Sequence, residues 1–260
     1  MRLPDTIYYS DELNDEFSSA NIKAKEIDGD YVYVKTSPWS KFTRFFWYRI
    51  FATPLAFLYS KIVLGQKVSG DNPLKKHRGG CFVYINHTQQ VGDPFIPNVV
   101  MFPKNGYFIV HPDNISMPVL GKVTPSMGAI PLPGTLEAHR HFLDALEKRI
   151  GEGAAVCVYP EAHIWPYYTK IRPFPDTSFA YPVKYGVPAF TITNTYQKRR
   201  FFKKPRVVSY VDGPFYPDRD GTEASAREKR KELRDEVYGT MCSRSENSTV
   251  EYIRYIKKED

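Results

Sequence analysis

Cys81-Phe82-Val83-Tyr84-Ile85-Asn86-His87-Thr88-Gln89-Gln90-Val91-Gly92-Asp93-Pro94 opens on five largely apolar side chains and closes on a polar run. A short apolar run bounded by turn residues reads as a strand buried on both faces. The pattern recurs at Tyr107-Phe108-Ile109-Val110 and at Ala154-Ala155-Val156-Cys157-Val158-Tyr159. It recurs again at Val187-Pro188-Ala189-Phe190-Thr191-Ile192 and Arg206-Val207-Val208-Ser209-Tyr210-Val211. Ahead of the run at Ala154, Leu136, Phe142, Leu143, Leu146 and Ile150 repeat at helical spacing, and Gly151 follows as a stop. Ser225-Ala226-Arg227-Glu228 has the form of a capping box opening a helix to about Met241. Strands alternating with helices predict an α/β fold: a mixed, largely parallel central sheet flanked by helices.

Upstream of this core the chain divides in two. Residues 1–40 read as a polar leader and a hairpin, in which Asp28-Gly29 joins Ile22–Ile27 to Asp30–Val34. Residues 41–69 carry Phe45-Phe46-Trp47-Tyr48 and Leu55-Ala56-Phe57-Leu58-Tyr59 with Lys41, Arg44, Arg49, Lys61 and Lys67, and no acid. A membrane span needs about 20 predominantly apolar residues. Arg49 and a break at Pro54 favour two short helices lying in a lipid interface, against the alternative of two buried core helices. Residues 70–260 then form the main domain.

Composition narrows the partners. Aromatic residues make up 15% of the chain and the net charge is +7 with a pI near 9.1, which suits an anionic lipid surface or nucleic acid. The basic residues cluster with large apolar groups and match no recognition motif, so nucleic acid is not the expected partner. Cys81, Cys157 and Cys242 are scattered, which argues for a reduced compartment and against a disulfide framework or structural zinc. The first thirty residues carry Asp5, Asp11, Glu12, Asp15 and Glu16 and no apolar run, so no secretory signal is expected. The expected location is the cytoplasmic face of the cell membrane.

His87, just past the first strand, is a candidate general base. A carboxylate accepting its Nδ1 proton would leave Nε2 free to take a proton from an alcohol. On an ideal helix Asp93 would lie roughly 240° around from His87, so the segment has to bend, and Gly92 offers the bend. The plain alternative is a histidine capping a buried turn. A second cluster, Tyr159-Pro160-Glu161-Ala162-His163, also follows a strand. His87, Asp93, Glu161 and His163 would be a possible metal set, which carries the alternative of a metal-dependent hydrolase.

Asn86-His87 with Asp93 resembles the first sequence block of the glycerolipid acyltransferase family, which includes the lysophosphatidic acid acyltransferases. Tyr159-Pro160-Glu161 resembles its third block, F-P-E-G-T-R-S. Gly128-Ala129-Ile130-Pro131-Leu132 stands where the second block belongs, and Gly186-Val187-Pro188-Ala189-Phe190 resembles the fourth. The resemblance implies that His87 is the base and Asp93 its orienting partner. It further implies that Asn86, Gly128, Pro160, Glu161, His163, Val187 and Pro188 bind substrate, Glu161 on the acceptor side and Val187-Pro188 on the acyl or thioester side. The implied reaction takes an acyl group from acyl-CoA or an acyl carrier protein to a lipid hydroxyl and needs no cofactor or metal.

Three departures mark this chain. Five residues separate His87 from Asp93 where the family has four, the second block lacks its arginine, and Ala162-His163-Ile164 replaces Gly-Thr-Arg. The missing arginines take away bidentate phosphate binding, for which Lys170, Arg172 and Lys184 are possible substitutes. An acceptor such as 1-acyl-glycerol 3-phosphate therefore stands beside a lipid without phosphate, and beside a lipid-binding relative with a broken dyad. Lys198-Arg199-Arg200-Phe201-Phe202-Lys203-Lys204 reads as a lipid or carrier contact or as a solvated hairpin tip, and Trp165, Tyr167 and Tyr168 as pocket or core.

Overall fold

The computed structural model describes residues 5–17, 24–118, 120–217 and 225–258. Nine strands follow in chain order among them: β1 (Thr6–Tyr9), β2 (Lys67–Ser69), β3 (Cys81–Ile85), β4 (Gly106–Val110), β5 (Ala129–Pro131), β6 (Ala155–Val158), β7 (Ala189–Gln197), β8 (Arg206–Phe215) and β9 (Arg254–Lys257). Seven form the central sheet in the order β2-β8-β7-β3-β6-β4-β5. Every neighbouring pair is parallel except β7 and β8, so the sheet is mixed and largely parallel, as the alternating pattern predicts.

β3 lies in the middle of this sheet, which is why its sequence is apolar throughout. Successive side chains point to opposite faces. Cys81, Val83 and Ile85 enter one core with Ile96, Val100 and Met101 of the helix Ile96–Met101. Phe82 and Tyr84 enter the other with Phe142 and Leu146 of Leu136–Gly151 and Leu233, Val237 and Met241 of Ala226–Ser245. Both halves of the Ser225–Glu228 capping box are formed.

The helical pair expected in residues 41–69 is instead one uninterrupted helical arm. Pro38–Phe45, Phe46–Ala52, Thr53–Leu58 and Tyr59–Val63 follow one another without a gap, the second and fourth being wide π-helical turns. Pro54 does not break the arm because the wide turn before it changes the bonding: Tyr48 O accepts from both Thr53 N and Thr53 Oγ1. The same widening sets which face is buried. Tyr48, Ala52, Ala56, Ser60 and Leu64 are buried at a strict interval of four. Four residues overshoot one α-helical turn by about 40°, and wide turns cancel that drift. The small Ala52, Ala56 and Ser60 bring the arm close, and the Tyr48 hydroxyl accepts from Gly106 N (2.8 Å) and donates to Asn98 Oδ1 (2.7 Å). Among the described residues no helix is long and apolar enough to cross a membrane.

The hairpin expected at Ile22–Val34 is not formed. Ile22 and Lys23 lie outside the described residues, and residues 24–34 contain no strand. Asp28-Gly29 does turn, with Tyr31 N bonded to Asp28 O (3.3 Å). The flanks find distant partners in place of each other: Ile27 O accepts from Gly134 N (2.9 Å), and Tyr33 packs on Phe142. Nor is the leader separate from the domain, because β1 pairs in parallel with β9. The boundary expected at residue 69 falls at the end of β2, an edge strand of the main sheet paired with β8.

Candidate active site

β3 ends at Ile85, and Asn86 continues its pairing by other means. The Asn86 side chain donates to Asn194 O (3.0 Å) and accepts from Asn194 N (2.8 Å), replacing a pair of strand bonds to β7. Asn86 is buried and occupied in this way, so it fixes where the next residue starts and offers no atom to substrate.

His87 comes next. Its Nδ1 lies 2.6 Å from Asp93 Oδ2, and the same carboxylate oxygen accepts from Gln89 N (3.0 Å). The five-residue spacing therefore forms the pair. Residues 90–95 are turns before the helix at Ile96, and the extra length is turned inward. Thr88 and Gln89 are both buried, Thr88 Oγ1 accepting from the Tyr196 hydroxyl (2.6 Å) and Gln89 Nε2 donating to it (3.1 Å). Tyr159 closes the turn: its hydroxyl donates to Asp93 O (2.5 Å), and its ring lies against the His87 ring with centroids 4.3 Å apart. Burial pushes the Asp93 carboxyl above the usual carboxylate range, against the His87 contact and the backbone N–H bonds that favour its charge. With Nδ1 directed at Asp93, the lone pair of neutral His87 sits on Nε2.

Glu161 anchors this histidine from behind. Its Oε2 accepts from His87 N (2.8 Å) and its Oε1 from Arg172 N (2.9 Å). Arg172 Nη2 stands 3.9 Å from Oε2 and also donates to the carbonyls of Glu161 and His163. Burial raises the Glu161 carboxyl, and Arg172 with the two N–H donors pulls it back. Trp165 N then bonds His87 O (3.1 Å) and Tyr167 N bonds Thr88 O (2.9 Å), so the two post-strand loops are laced together.

A model of the acyltransferase family matches residues 66–194. The chain belongs to the acyltransferase family. The matched span starts just before β2 and ends inside β7, so it holds His87, Asp93, Glu161 and Pro188 and leaves out the helical arm. The chain is also similar to the solved 1-acyl-sn-glycerophosphate (LPA) acyltransferase PlsC of Thermotoga maritima. The TM-score is 0.54 at 19% identity, over 78% of this chain and 83% of that one. No curated protein matches the chain.

The acyltransferase sequence blocks do not all meet at His87. Pro160 and Glu161 do. Glu161 is enclosed among backbone donors and Arg172, with no face on an open acceptor pocket as its block suggests. His163 turns away, its Nδ1 3.2 Å from Glu16 Oε2. Val187 and Pro188 precede β7, and Pro188 O accepts from Phe82 N near the start of β3. They sit at the opposite end of the strands from His87, about 20 Å away at 3.3 Å per residue. Gly128 is at that far end too: it precedes β5, where a Cβ would strike Gly106 O, and its φ of +103° suits glycine. The parallel register brings Pro131 and Leu132 toward the His87 edge. Ala162 adopts a left-handed φ of 62° where the third block carries glycine.

The sequence blocks assign no role to Thr88, Gln89, Tyr196 or the Tyr159 hydroxyl; the one signal for them is a tyrosine in the block position usually held by phenylalanine. Arg172 and Trp165 are resolved as framework: Arg172 is fully buried, and Trp165 stacks on Tyr255 with centroids 4.9 Å apart. Among the described residues no group of three or more His, Cys, Asp or Glu side chains is placed to hold a metal.

Proposed function

We propose that this acyltransferase moves a fatty acyl group from a thioester, acyl-CoA or acyl carrier protein, to the hydroxyl of a lipid acceptor, with His87 as general base. The observation that carries this reading is the 2.6 Å contact between His87 Nδ1 and a buried Asp93. It directs the imidazole so that Nε2 accepts the acceptor's hydroxyl proton as the oxygen attacks the thioester carbonyl. The tetrahedral intermediate then collapses, the carbon–sulfur bond breaks, and the imidazolium returns the proton to the departing thiolate. Asp93 favours the cation in between. General-base help of this kind is worth about 10²–10⁴-fold. No acyl-enzyme is invoked. Burial raises the Cys81 thiol to about 12 and the Cys157 thiol well above its ordinary value, which leaves both poor nucleophiles.

A second reading of the acceptor is favoured by the cations. A lysophospholipid such as 1-acyl-glycerol 3-phosphate needs its phosphate held. Arg172 is buried with Nη1 and Nη2 bonded to the carbonyls of Glu12, Glu161 and His163, and Lys184 lies on the helix Ala180–Tyr185 that leads into the far end of β7. Lys170 is exposed and remains. A hydroxyl-bearing lipid without phosphate fits that inventory.

In the same reading the protein works peripherally on the cytoplasmic face of the cell membrane. The support is the solvent side of the arm, where Trp39 (72% exposed), Phe42, Phe45, Ile50, Leu58 and Ile62 lie uncovered. The test is transfer of labelled acyl groups from acyl-CoA, and separately from acyl carrier protein. The acceptors are lysophosphatidic acid, neutral lysolipids and glycolipids, with wild type and His87→Ala. Product that depends on His87 identifies the acceptor; product that survives His87→Ala removes the base assignment.

A further inference from the structure

The run Lys198–Lys204 is left unused by acyl transfer. It forms the tip between β7 and β8, and Phe201 and Phe202 on it are 82% and 62% exposed. Its place in the fold is specific. β7 runs parallel to β3 with Ile192 opposite Ile85, then continues to Gln197. The tip therefore leaves the sheet at the edge where His87 sits.

The tip is also fastened to the helical arm. Arg199 Nη1 donates to Val63 O (2.8 Å), Nη2 to Ile62 O (3.4 Å), and the guanidinium carbon lies 4.2 Å from the centre of the Phe202 ring. Gly65, at φ +56°, leaves the room, since a Cβ there would collide with the Arg199 guanidinium. Val207 N bonds Leu64 O (3.1 Å) at the base of the hairpin. Leu58, Ile62 and Val63 are exposed beside it. The arm's end also packs on the catalytic turn, Tyr59 against Phe95 with centroids 5.5 Å apart.

We propose that the β7–β8 tip is a second membrane contact, seated with the arm on an anionic lipid surface as one face and held in register by Arg199. This rests on the membrane-surface reading above. The charge agrees: Lys198, Arg200, Lys203 and Lys204 are exposed, and no acid occurs from Pro38 to Gly70 or from Lys198 to Val211. An acidic carrier protein would answer these charges alone. Two uncovered phenylalanines continuous with the apolar side of the arm call for hydrocarbon as well, and binding of this kind scales with apolar area plus charge. A tip so placed faces the His87 edge of the sheet toward the leaflet that supplies the acceptor.

Full-length protein would be sedimented with vesicles of phosphatidylcholine, and of phosphatidylcholine and phosphatidylglycerol in equal amounts. Phe201→Ser/Phe202→Ser is expected to weaken binding to the mixed vesicles about tenfold or more, with the thermal unfolding midpoint unchanged. Lys203→Gln/Lys204→Gln is expected to lose on the order of tenfold on the mixed vesicles and little on pure phosphatidylcholine. Wild-type binding with both tip variants bound equally well would overturn the tip's role and leave the arm as the anchor. Wild type that ignores both vesicles would overturn the membrane reading together with the tip. Tip variants that bind vesicles normally but lose immobilised acyl carrier protein would reassign the tip to the donor.

Discussion

The turn from His87 to Asp93 and the arm from Pro38 to Val63 break the rule of apolar inside and polar outside in opposite directions. In and around the turn Asn86, Thr88, Gln89 and Asp93 are buried, while along the arm Trp39, Phe42, Phe45, Leu58 and Ile62 stand in solvent. A buried polar group costs free energy unless it is bonded, and in the turn most of the bonds are made, to Asn194, Tyr196, Tyr159 and the backbone, with Asp93 Oδ1 left without a partner. Among the described residues the arm's exposed rings are covered only in part, Trp39 stacking on Phe42. Polar burial here is closed upon itself and fixes one geometry. Apolar exposure along the arm is open to solvent.

The largest effects should come from the closed region. His87→Ala is expected to lower transfer about 10²–10⁴-fold while the protein keeps its vesicle binding, measured by labelled-acyl assay and sedimentation. Unchanged transfer would mean that the closed turn is merely structural. Glu161→Ala removes the acceptor of both His87 N and Arg172 N and leaves Arg172 buried without its carboxylate. A loss of about 3–5 kcal/mol in urea denaturation is expected. A loss near zero would show that Arg172 escapes to water and that the two loops are not laced through this residue.

Smaller changes sharpen the contrast. Tyr159→Phe keeps the ring against His87 and deletes the hydroxyl bonded to Asp93 O, so about 1 kcal/mol of stability should go. A fall in kcat larger than that energy implies would assign the hydroxyl to orienting Asp93 as well as to holding the turn. Leu58→Ser/Ile62→Ser on the arm should change folding stability by no more than about 0.5 kcal/mol, because both side chains are already exposed, yet weaken vesicle binding. A large stability loss would show that the arm's outer face is covered within the protein after all.

Much of the fold was legible because its signals are local. β3, β4 and β6 announce themselves as apolar runs, the helix Leu136–Gly151 by its periodicity, and Ala226–Ser245 by its capping box. The buried stripe Tyr48, Ala52, Ala56, Ser60 and Leu64 was also in the sequence, at an interval that a plain α-helix would not keep on one face. Pro54 predicts a break, and the backbone widens ahead of it instead. The hairpin at Asp28-Gly29 failed for a different reason: its turn chemistry is sound, but Ile27 and Tyr33 gain more from Gly134 and Phe142 than from one another.

Residue types and their order were enough, by themselves, to determine the layered α/β class, the family blocks, the candidacy of His87 and Asp93, and an arm rich in apolar and basic groups. Only the tertiary structure decided that five intervening residues still close the His87–Asp93 pair, because Thr88 and Gln89 turn inward to Tyr196, a residue more than a hundred positions away. It also decided that Glu161 and Arg172 form the framework behind the base, and that Gly128 and Pro188 lie at the far end of the strands. Parallel register, which a strand's own sequence does not state, fixes which end of each strand meets which.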